Sequence, residues 1–117
     1  RRQERGERYN TGLANLKGIE TTSLGYDNTS VFAQYTILYE NRDNIQSKLK
    51  ENNVPSVSYY SVPLHLQPVF AKLEHNVGDF PVTEKVARQC LSLPMSPYLS
   101  DDDQSLIIDT ILELDGN

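Results

Sequence analysis

VFAQYTILYE, residues 31–40, is the stretch that decides the fold, because it is dense in β-branched and aromatic residues. Polar and apolar side chains partly alternate along it, as they do in a strand that covers a core with one face. Asn41 follows directly and is a suitable cap for a helix that runs to about Asn52, with Asp43 in its first turn. The pattern predicts a strand, a tight turn and a helix.

Upstream of this unit, residues 1–16 predict an amphipathic helix. Tyr9 and Leu13 lie on one side of it, and arginines and glutamates occupy most other positions. Gly6 and Gly12 each weaken an isolated helix by about 1 kcal/mol relative to alanine, so packing against a neighbour must stabilise it. The chain opens inside this helix without a methionine or a capping residue, so we expect a piece of a longer protein.

Downstream, residues 56–60 predict a second strand that ends before two prolines. Pro63 and Pro68 are incompatible with regular strand pairing, so the segment between them is expected to be an ordered irregular loop. Residues 69–73 predict a short helical turn. This region therefore combines one strand end with a rigid connection.

A further helix is predicted to begin near Pro81. Val82, Val86 and Cys90 recur four residues apart, which indicates a buried apolar stripe, whereas Glu84 is expected to face water. The lone cysteine is therefore interpreted as a core residue. It cannot form an internal disulfide, because the chain has no second cysteine.

The carboxyl-terminal part predicts a third strand at the sheet edge, residues 92–95, followed by a helix. Ser100, with Asp103 three residues later, resembles a capping box at the start of that helix. The expected apolar side of the helix comprises Leu106, Ile107, Ile111 and Leu114. Together these elements predict an α/β fold, an α+β sandwich with a small, mainly antiparallel sheet of about three strands covered by helices.

Composition narrows the function classes. The 117 residues correspond to one domain, and the net charge of -5 argues against a nucleic-acid partner, which needs a basic face. The chain has no apolar run long enough for a signal peptide or a membrane span. We therefore expect a cytoplasmic protein with no membrane partner.

Several side chains are candidates for metal chemistry, but each has a simpler explanation. The aspartates at 101–103 offer oxygen ligands, yet three carboxylates in the first turn of a helix complement its dipole, and no calcium-loop glycine accompanies them. His65 and His75 have no cysteine partners and no helical HxxxH spacing, so no metal site is predicted. His75 is interpreted as a surface residue.

The remaining candidates lie around the proline-framed loop. His65 sits between Pro63 and Pro68, in the kind of rigid segment that positions binding groups, although composition alone favours an ordinary surface or hydrogen-bonded histidine. Tyr59 and Tyr60 end the second predicted strand, where a hydroxyl can face a ligand. The alternative is a core pair with one ring inside and one outside. Residue patterns alone favour neither reading of the tyrosine pair.

Longer stretches of the sequence resemble a known family. Residues 33–70, AQYTILYENRDNIQSKLKENNVPSVSYYSVPLHLQPVF, and residues 78–111, GDFPVTEKVARQCLSLPMSPYLSDDDQSLIIDTI, are similar to the C-terminal domain of the DegT/DnrJ/EryC1/StrS sugar aminotransferases. The most specific pieces are QYTI, PLHLQP, GDFPVTEK and LSLPMSPYL. The resemblance extends from about Arg1 to Ile111.

The resemblance implies a fold-type I aminotransferase, usually a homodimer, in which glutamate donates an amino group to a keto sugar carried on a nucleotide. Pyridoxal phosphate acts as the electron sink in that reaction. Residues 1–117 would be the C-terminal small domain, and residues 1–16 would join it to a large domain. The family's Schiff-base lysine and cofactor contacts lie in the large domain. We therefore expect this chain to contain no catalytic or cofactor-binding residue and to be inactive alone.

By the same resemblance, the loop from Tyr59 to Gln67 is the segment that approaches the sugar. It nominates Tyr59, Tyr60 and His65 as substrate-binding residues. The family often reads His-Tyr-Pro where this chain has Tyr59-Tyr60-Ser61, which leaves the identity of the sugar open. The branch that uses 3-keto amino sugars of surface polysaccharides is the most similar.

Two further expectations follow from the resemblance. The alternative to an aminotransferase part is a non-catalytic binding or regulatory module that retains the small-domain fold. Without a large domain, residues 1–16 and the SVPLHLQP loop are expected to expose apolar surface, which favours self-association.

Overall fold

The computed structural model describes residues 1–116, which form four α-helices, a three-stranded sheet and short 3₁₀ turns. The helices are α1 (Arg2–Leu13), α2 (Arg42–Glu51), α3 (Pro81–Gln89) and α4 (Asp101–Leu112). The strands are β1 (Ile19–Glu20), β2 (Tyr35–Tyr39) and β3 (Cys90–Leu93). The 3₁₀ turns are Leu64–Leu66, Pro68–Leu73 and Glu113–Gly116. No helix within residues 1–116 is both long enough and apolar enough to cross a membrane.

The sheet is antiparallel, with β2 in the middle of the order β1-β2-β3, which confirms the predicted fold class. β2 pairs with β3 in the register Tyr35 to Leu93, and Tyr35 and Ile37 are fully buried. The strand is shorter than predicted because Phe32 adopts φ 45°, which an extended strand does not allow. The two-residue β1 was not predicted.

The core lies between the sheet and the helices. α1 contributes Tyr9 and Leu13, whose side chains are fully buried, and α4 contributes Ile107 and Ile111. The expectation that residues 1–16 expose apolar surface is therefore wrong, because this stripe packs against the chain's own core. The SVPLHLQP loop, by contrast, does expose apolar side chains, at Val62 and Leu64.

The two glycines of α1 explain how closely that helix packs. A Cβ added at Gly6 would lie 2.5 Å from the ring of Phe32, and one added at Gly12 would lie 2.9 Å from Cδ1 of Ile108. Neither position has room for a methyl group unless its neighbour moves. Packing thus offsets the low helix propensity of these residues, as predicted.

Polar contacts fix α1 against the start of α4. Asp101 accepts hydrogen bonds from the guanidinium groups of Arg5 and Arg8. The buried Gln104 side chain donates to the Arg5 carbonyl oxygen at 2.8 Å. The predicted cap is confirmed, since the Ser100 hydroxyl accepts a hydrogen bond from the Asp103 amide at 3.1 Å.

Two sequence predictions are wrong, one for residues 56–60 and one for α3. Residues 56–60 form no strand, and Val57 makes an isolated bridge to Ser92, because the backbone turns into the left-handed region at Tyr60, φ 59°. The stripe expected on α3 is exposed at both Val82 and Val86.

The face of α3 that is buried carries Glu84 and Ala87 instead. The physical reason is that the apolar stripe of α3 lines an open cleft, over which no element of residues 1–116 packs. On α4, Leu106 is exposed, contrary to prediction, and Ile108 is buried in its place.

Candidate functional site

A cavity of about 520 Å³ opens between the Tyr59–Gln67 loop, α3 and the surface formed by β2 and β3. Apolar side chains of the loop and of α3 form two walls, and small polar side chains of the strands form much of the floor. The lining residues are Gln34, Thr36, Tyr59, Tyr60, Val62, Pro63, Leu64, Gln67, Val82, Thr83, Val86, Ala87, Cys90 and Ser92. Apolar clefts with a few polar groups are typical of small-molecule sites.

Tyr59 and Tyr60 both line this cavity, and neither ring is buried. Tyr60 is 87% exposed, and the two ring centroids are 6.5 Å apart. Neither phenolic hydroxyl has a hydrogen-bond partner within residues 1–116. The left-handed backbone at Tyr60 is uncommon for a bulky residue and is the kind of strain that accompanies functional loops. The core-pair alternative is therefore not what the structure contains.

The floor of the cavity is held rigidly by hydrogen bonds. The hydroxyl oxygens of Thr36 and Ser92 lie 2.8 Å apart across the paired strands. The Cys90 thiol is buried, as predicted, and donates to the Tyr59 carbonyl oxygen at 3.3 Å. The Arg42 guanidinium donates to the Cys90 carbonyl oxygen at 3.1 Å, so α2 also supports this edge of the cleft.

His65 belongs to the same loop but does not line the cavity. Its side chain is 7% exposed, and its Nε2 atom faces Oε2 of Glu84 at 3.5 Å. This distance is longer than a hydrogen bond, and Nε2 is buried without a hydrogen-bond partner. The ring packs edge-on against Phe80, with centroids 4.8 Å apart.

Glu84 carries a buried carboxylate, although the helical pattern predicted that it faces water. Oε1 accepts a hydrogen bond from the Gly78 amide at 2.8 Å, and Oε2 accepts one from the Phe80 amide at 3.1 Å. The Gly78 amide is the main cause of a pKa below the ordinary range for this carboxyl, and burial opposes the shift. Glu84 stands four residues after the N-cap Phe80, one position beyond the glutamate of a capping box, so the sequence offered no standard signal for its hydrogen bond back to the Phe80 amide.

The other candidates stay apart from the cleft. His75 is exposed, as predicted, and its Nδ1 atom lies 3.6 Å from Oδ2 of Asp79. Asp101 is engaged by arginines of α1, as described above. Within residues 1–116, no group of three or more histidine, cysteine, aspartate or glutamate side chains is arranged to hold a metal ion.

The lining of this cavity does not by itself fit pyridoxal phosphate. The lining of the cavity includes no lysine, which the cofactor needs for covalent attachment, and no arginine to neutralise its phosphate. Lys85 of α3 lies outside the lining, with its Nζ atom 3.3 Å from a Glu20 carboxylate oxygen.

The fold and the cleft define a small α+β domain of the kind found in fold-type I aminotransferases. The chain belongs to the DegT/DnrJ/EryC1/StrS aminotransferase family, whose profile matches residues 1–112. The resemblance noted from the sequence is thereby confirmed.

Characterised relatives cover most of the chain. A pleiotropic regulatory protein of Geobacillus stearothermophilus is 47% identical over 71% of this chain and 22% of its own length. The UDP-2-acetamido-2-deoxy-3-oxo-D-glucuronate aminotransferase of Pseudomonas aeruginosa is 40% identical over 84% of this chain and 26% of its own length. The chain thus spans about a quarter of the length of these relatives.

The fold is also similar to that of solved structures. S. venezuelae DesV, in complex with a ketimine intermediate, superimposes with a TM-score of 0.95 at 33% identity. That match covers 100% of this chain and 32% of the DesV chain. The similarity therefore extends over the whole chain.

Proposed function

We propose that this chain is the C-terminal small domain, residues 1–117, of a pyridoxal-phosphate-dependent nucleotide-sugar aminotransferase. Residues 1–16 would join it to the large domain. The observation that carries the proposal is the superposition of the whole chain on an aminotransferase with a TM-score of 0.95. The cofactor supplies the electron sink for amino transfer and would be held by residues outside this chain.

The part assigned to this domain is one wall of the sugar cleft. Tyr59 and Tyr60 present aromatic faces and uncommitted hydroxyl groups beside an apolar cavity, a combination that suits a sugar ring with its polar substituents. A contact between His65 and the substrate stays a prediction. The burial of the His65 side chain favours a role in holding the loop instead.

The reaction and its partners complete the proposal. Glutamate would donate the amino group to a nucleotide-linked keto sugar, in a cytoplasmic homodimer that contributes to polysaccharide or glycan sugar synthesis. Two relatives are named for sugars modified at position 3, the 3-oxo-glucuronate enzyme and the Streptomyces venezuelae dTDP-3-amino-3,4,6-trideoxy-α-D-glucose transaminase. These names support a 3-keto sugar as the substrate class. Without the large domain, the chain would be inactive.

The test uses a longer protein that carries this chain at its C-terminal end. Amine transfer from glutamate to UDP-linked and dTDP-linked 3-keto sugars is measured for the unchanged protein and for Tyr60→Ala. Loss of the ring should raise KM for the sugar about tenfold, which corresponds to about 1.4 kcal/mol. Tyr98→Ala is the matched control, since Tyr98 is also largely exposed but does not line the cavity.

Absence of amine transfer with every sugar tried would contradict the proposed reaction. Equal KM values for the Tyr60 and Tyr98 variants would contradict the assignment of the sugar wall.

A regulatory module is the second candidate, because the relative with 47% identity is named a pleiotropic regulatory protein. Such a module would retain the cleft as a ligand-binding site without chemistry. Binding of a sugar nucleotide by the longer protein, with no amine transfer from any amino donor, would favour this candidate over the enzyme.

A further inference from the structure

The wall that carries Tyr59 and Tyr60 has little apolar burial to hold it in place. Val62 and Leu64, from the same loop, are exposed and line the cavity instead of entering the core. The loop is built of turns and a single 3₁₀ segment, so strand pairing does not fix it either. The Cys90 thiol holds only the start of the loop, through the Tyr59 carbonyl oxygen, so another contact must set the position of the rest relative to α3.

We propose that Glu84 is a positioning residue that, through His65, holds the Tyr59–Gln67 loop against α3 and so sets the shape of the cleft. The consequence for substrate rests on the proposed function, whereas the anchoring itself does not. The pair is called the Glu84–His65 anchor below.

The first half of the anchor ties a turn to α3. Both carboxylate oxygens of Glu84 accept a hydrogen bond from the Gly78 amide, and Oε2 also accepts one from the Phe80 amide. Burial of a carboxylate is costly unless such donors compensate it. Glu84 therefore closes the turn that leads into α3 and fixes Phe80 at its end.

The second half ties the loop to that turn. His65 lies in the 3₁₀ segment Leu64–Leu66, packs its ring on Phe80 and directs Nε2 toward the Glu84 carboxylate at 3.5 Å. Its side chain is as buried as that of Glu84, at 7% and 6% exposure. The His65 side chain thus points into the domain, whereas the side chain of its neighbour Leu64 points outward.

Neighbouring charged groups do not replace either partner. The His75 ring packs against both Phe80 and His65, with centroids 5.1 and 6.4 Å apart, but its Nδ1 atom faces Asp79. The Asp79 carboxylate accepts a hydrogen bond from the Asn76 amide at 2.7 Å. Glu84 therefore remains the carboxylate that faces His65.

The anchor is tested first in this chain by amide hydrogen exchange and tyrosine NMR. Glu84→Gln keeps the side-chain volume but places an amide group against backbone N–H donors. We expect protection of the Gly78 and Phe80 amides to fall about tenfold, and the Tyr59 and Tyr60 ring signals to shift or broaden. Amides of α4 should keep their protection, which shows that the fold is intact.

His65→Gln is the second variant and removes the ring contact without touching α3. It should reproduce the changes in the Tyr59 and Tyr60 signals while leaving the Gly78 amide protected. Glu7→Gln, at an exposed position of α1, is the matched control and should change none of these signals. Unchanged tyrosine signals in both anchor variants, with an intact α4, would overturn the proposal.

The substrate consequence is measured in the longer protein. Glu84→Gln should raise KM for the keto sugar about tenfold and change kcat little, because a displaced wall weakens binding of the sugar before it alters the reacting atoms. A fall in kcat with KM unchanged would overturn the positioning role. If the unchanged longer protein transfers no amine, the proposed function fails, while the exchange result in this chain still decides the anchor.

Discussion

The layer of α1 and α4 and the wall of the cleft are stabilised in opposite ways. The helical layer buries large side chains completely, and Tyr9 of α1 stacks on Tyr35 of β2 with ring centroids 4.7 Å apart. The cleft wall leaves its aromatic and aliphatic side chains exposed and depends on the Glu84–His65 anchor. Apolar burial thus stabilises the helical layer, whereas buried polar contacts hold the wall whose apolar surface stays open.

Two carboxylates illustrate the same difference. The pKa of Asp101 is lowered, first by its hydrogen bond from Arg5 and then by the charges of Arg5 and Arg8, yet its side chain is 75% exposed. The pKa of Glu84 is lowered chiefly by a backbone amide in a buried site. Exposed ion pairs contribute little to stability, whereas removing a buried acceptor leaves its donors unsatisfied.

The largest effect is expected from Tyr9→Ala, in the helical layer. The change removes a fully buried ring and the hydrogen bond from its hydroxyl to the Pro94 carbonyl oxygen at 2.7 Å. We expect a loss of about 3–5 kcal/mol in the free energy of unfolding, measured in urea. Tyr9→Phe, the control, should lose about 1 kcal/mol. A loss below that for the alanine variant would contradict the assignment of the core.

Gly6→Ala tests how closely α1 packs. In an isolated helix this change gains about 1 kcal/mol, but here the new Cβ would meet the Phe32 ring at 2.5 Å. We expect a net loss of about 1–3 kcal/mol in urea unfolding. Gln3→Ala, at an exposed position of the same helix, should be neutral or slightly stabilising. A stabilised Gly6 variant would show that α1 is less tightly packed than described.

The acid branch of the stability curve distinguishes the two carboxylates. Because the pKa of Glu84 is lower in the folded chain than its ordinary value of 4.5, its stabilisation is complete above about that pH. This stabilisation is lost as the pH falls through the lower pKa of Glu84 in the folded chain, where the carboxylate takes up a proton. Glu84→Gln should therefore flatten this branch in urea titrations at a series of pH values.

Asp101→Asn is the matched control for the acid branch, because the pKa of Asp101 is lowered in the same direction. Its exposed ion pair should give a smaller flattening than the Glu84 variant. A larger effect at Asp101 would reverse the proposed difference between the two regions.

The smallest stability effect is expected at Val82, which is 73% exposed on α3. Val82→Ser should change the free energy of unfolding by less than about 0.5 kcal/mol. Ile111→Ser, in the core, should be strongly destabilising by comparison.

Sedimentation at high concentration should show less self-association for the Val82→Ser variant, because the change reduces the exposed apolar surface of the cleft. A strictly monomeric unchanged chain would contradict the expected self-association.

Much of the fold could be predicted from local pattern. The strand and helix around Asn41 and the capped α4 were found because period, propensity and capping residues agree there. Residues 56–60 were assigned wrongly because their composition favours a strand, whereas the turn at Tyr60 ends pairing after one bridge. Such a turn depends on tertiary context, which composition does not encode.

The site was less predictable than the fold. Tyr59 and Tyr60 were nominated through the family resemblance, and the structure places both at the cavity. Glu84 was assigned to solvent because helical periodicity groups it with charged neighbours. Glu84 is buried by the turn that precedes α3 and by the loop around His65, and helical periodicity encodes neither contact. The Val82 stripe is exposed because it lines an open cleft.

The central claim is that this chain is the small domain of an aminotransferase whose cofactor is held elsewhere. Pyridoxal phosphate is added to this chain and to a longer protein that carries it, both are treated with borohydride, and covalent incorporation is measured by mass spectrometry. The account predicts saturable incorporation of one cofactor per subunit at a single lysine in the longer protein, and no such incorporation in this chain. Stoichiometric incorporation at one lysine of this chain alone would contradict it.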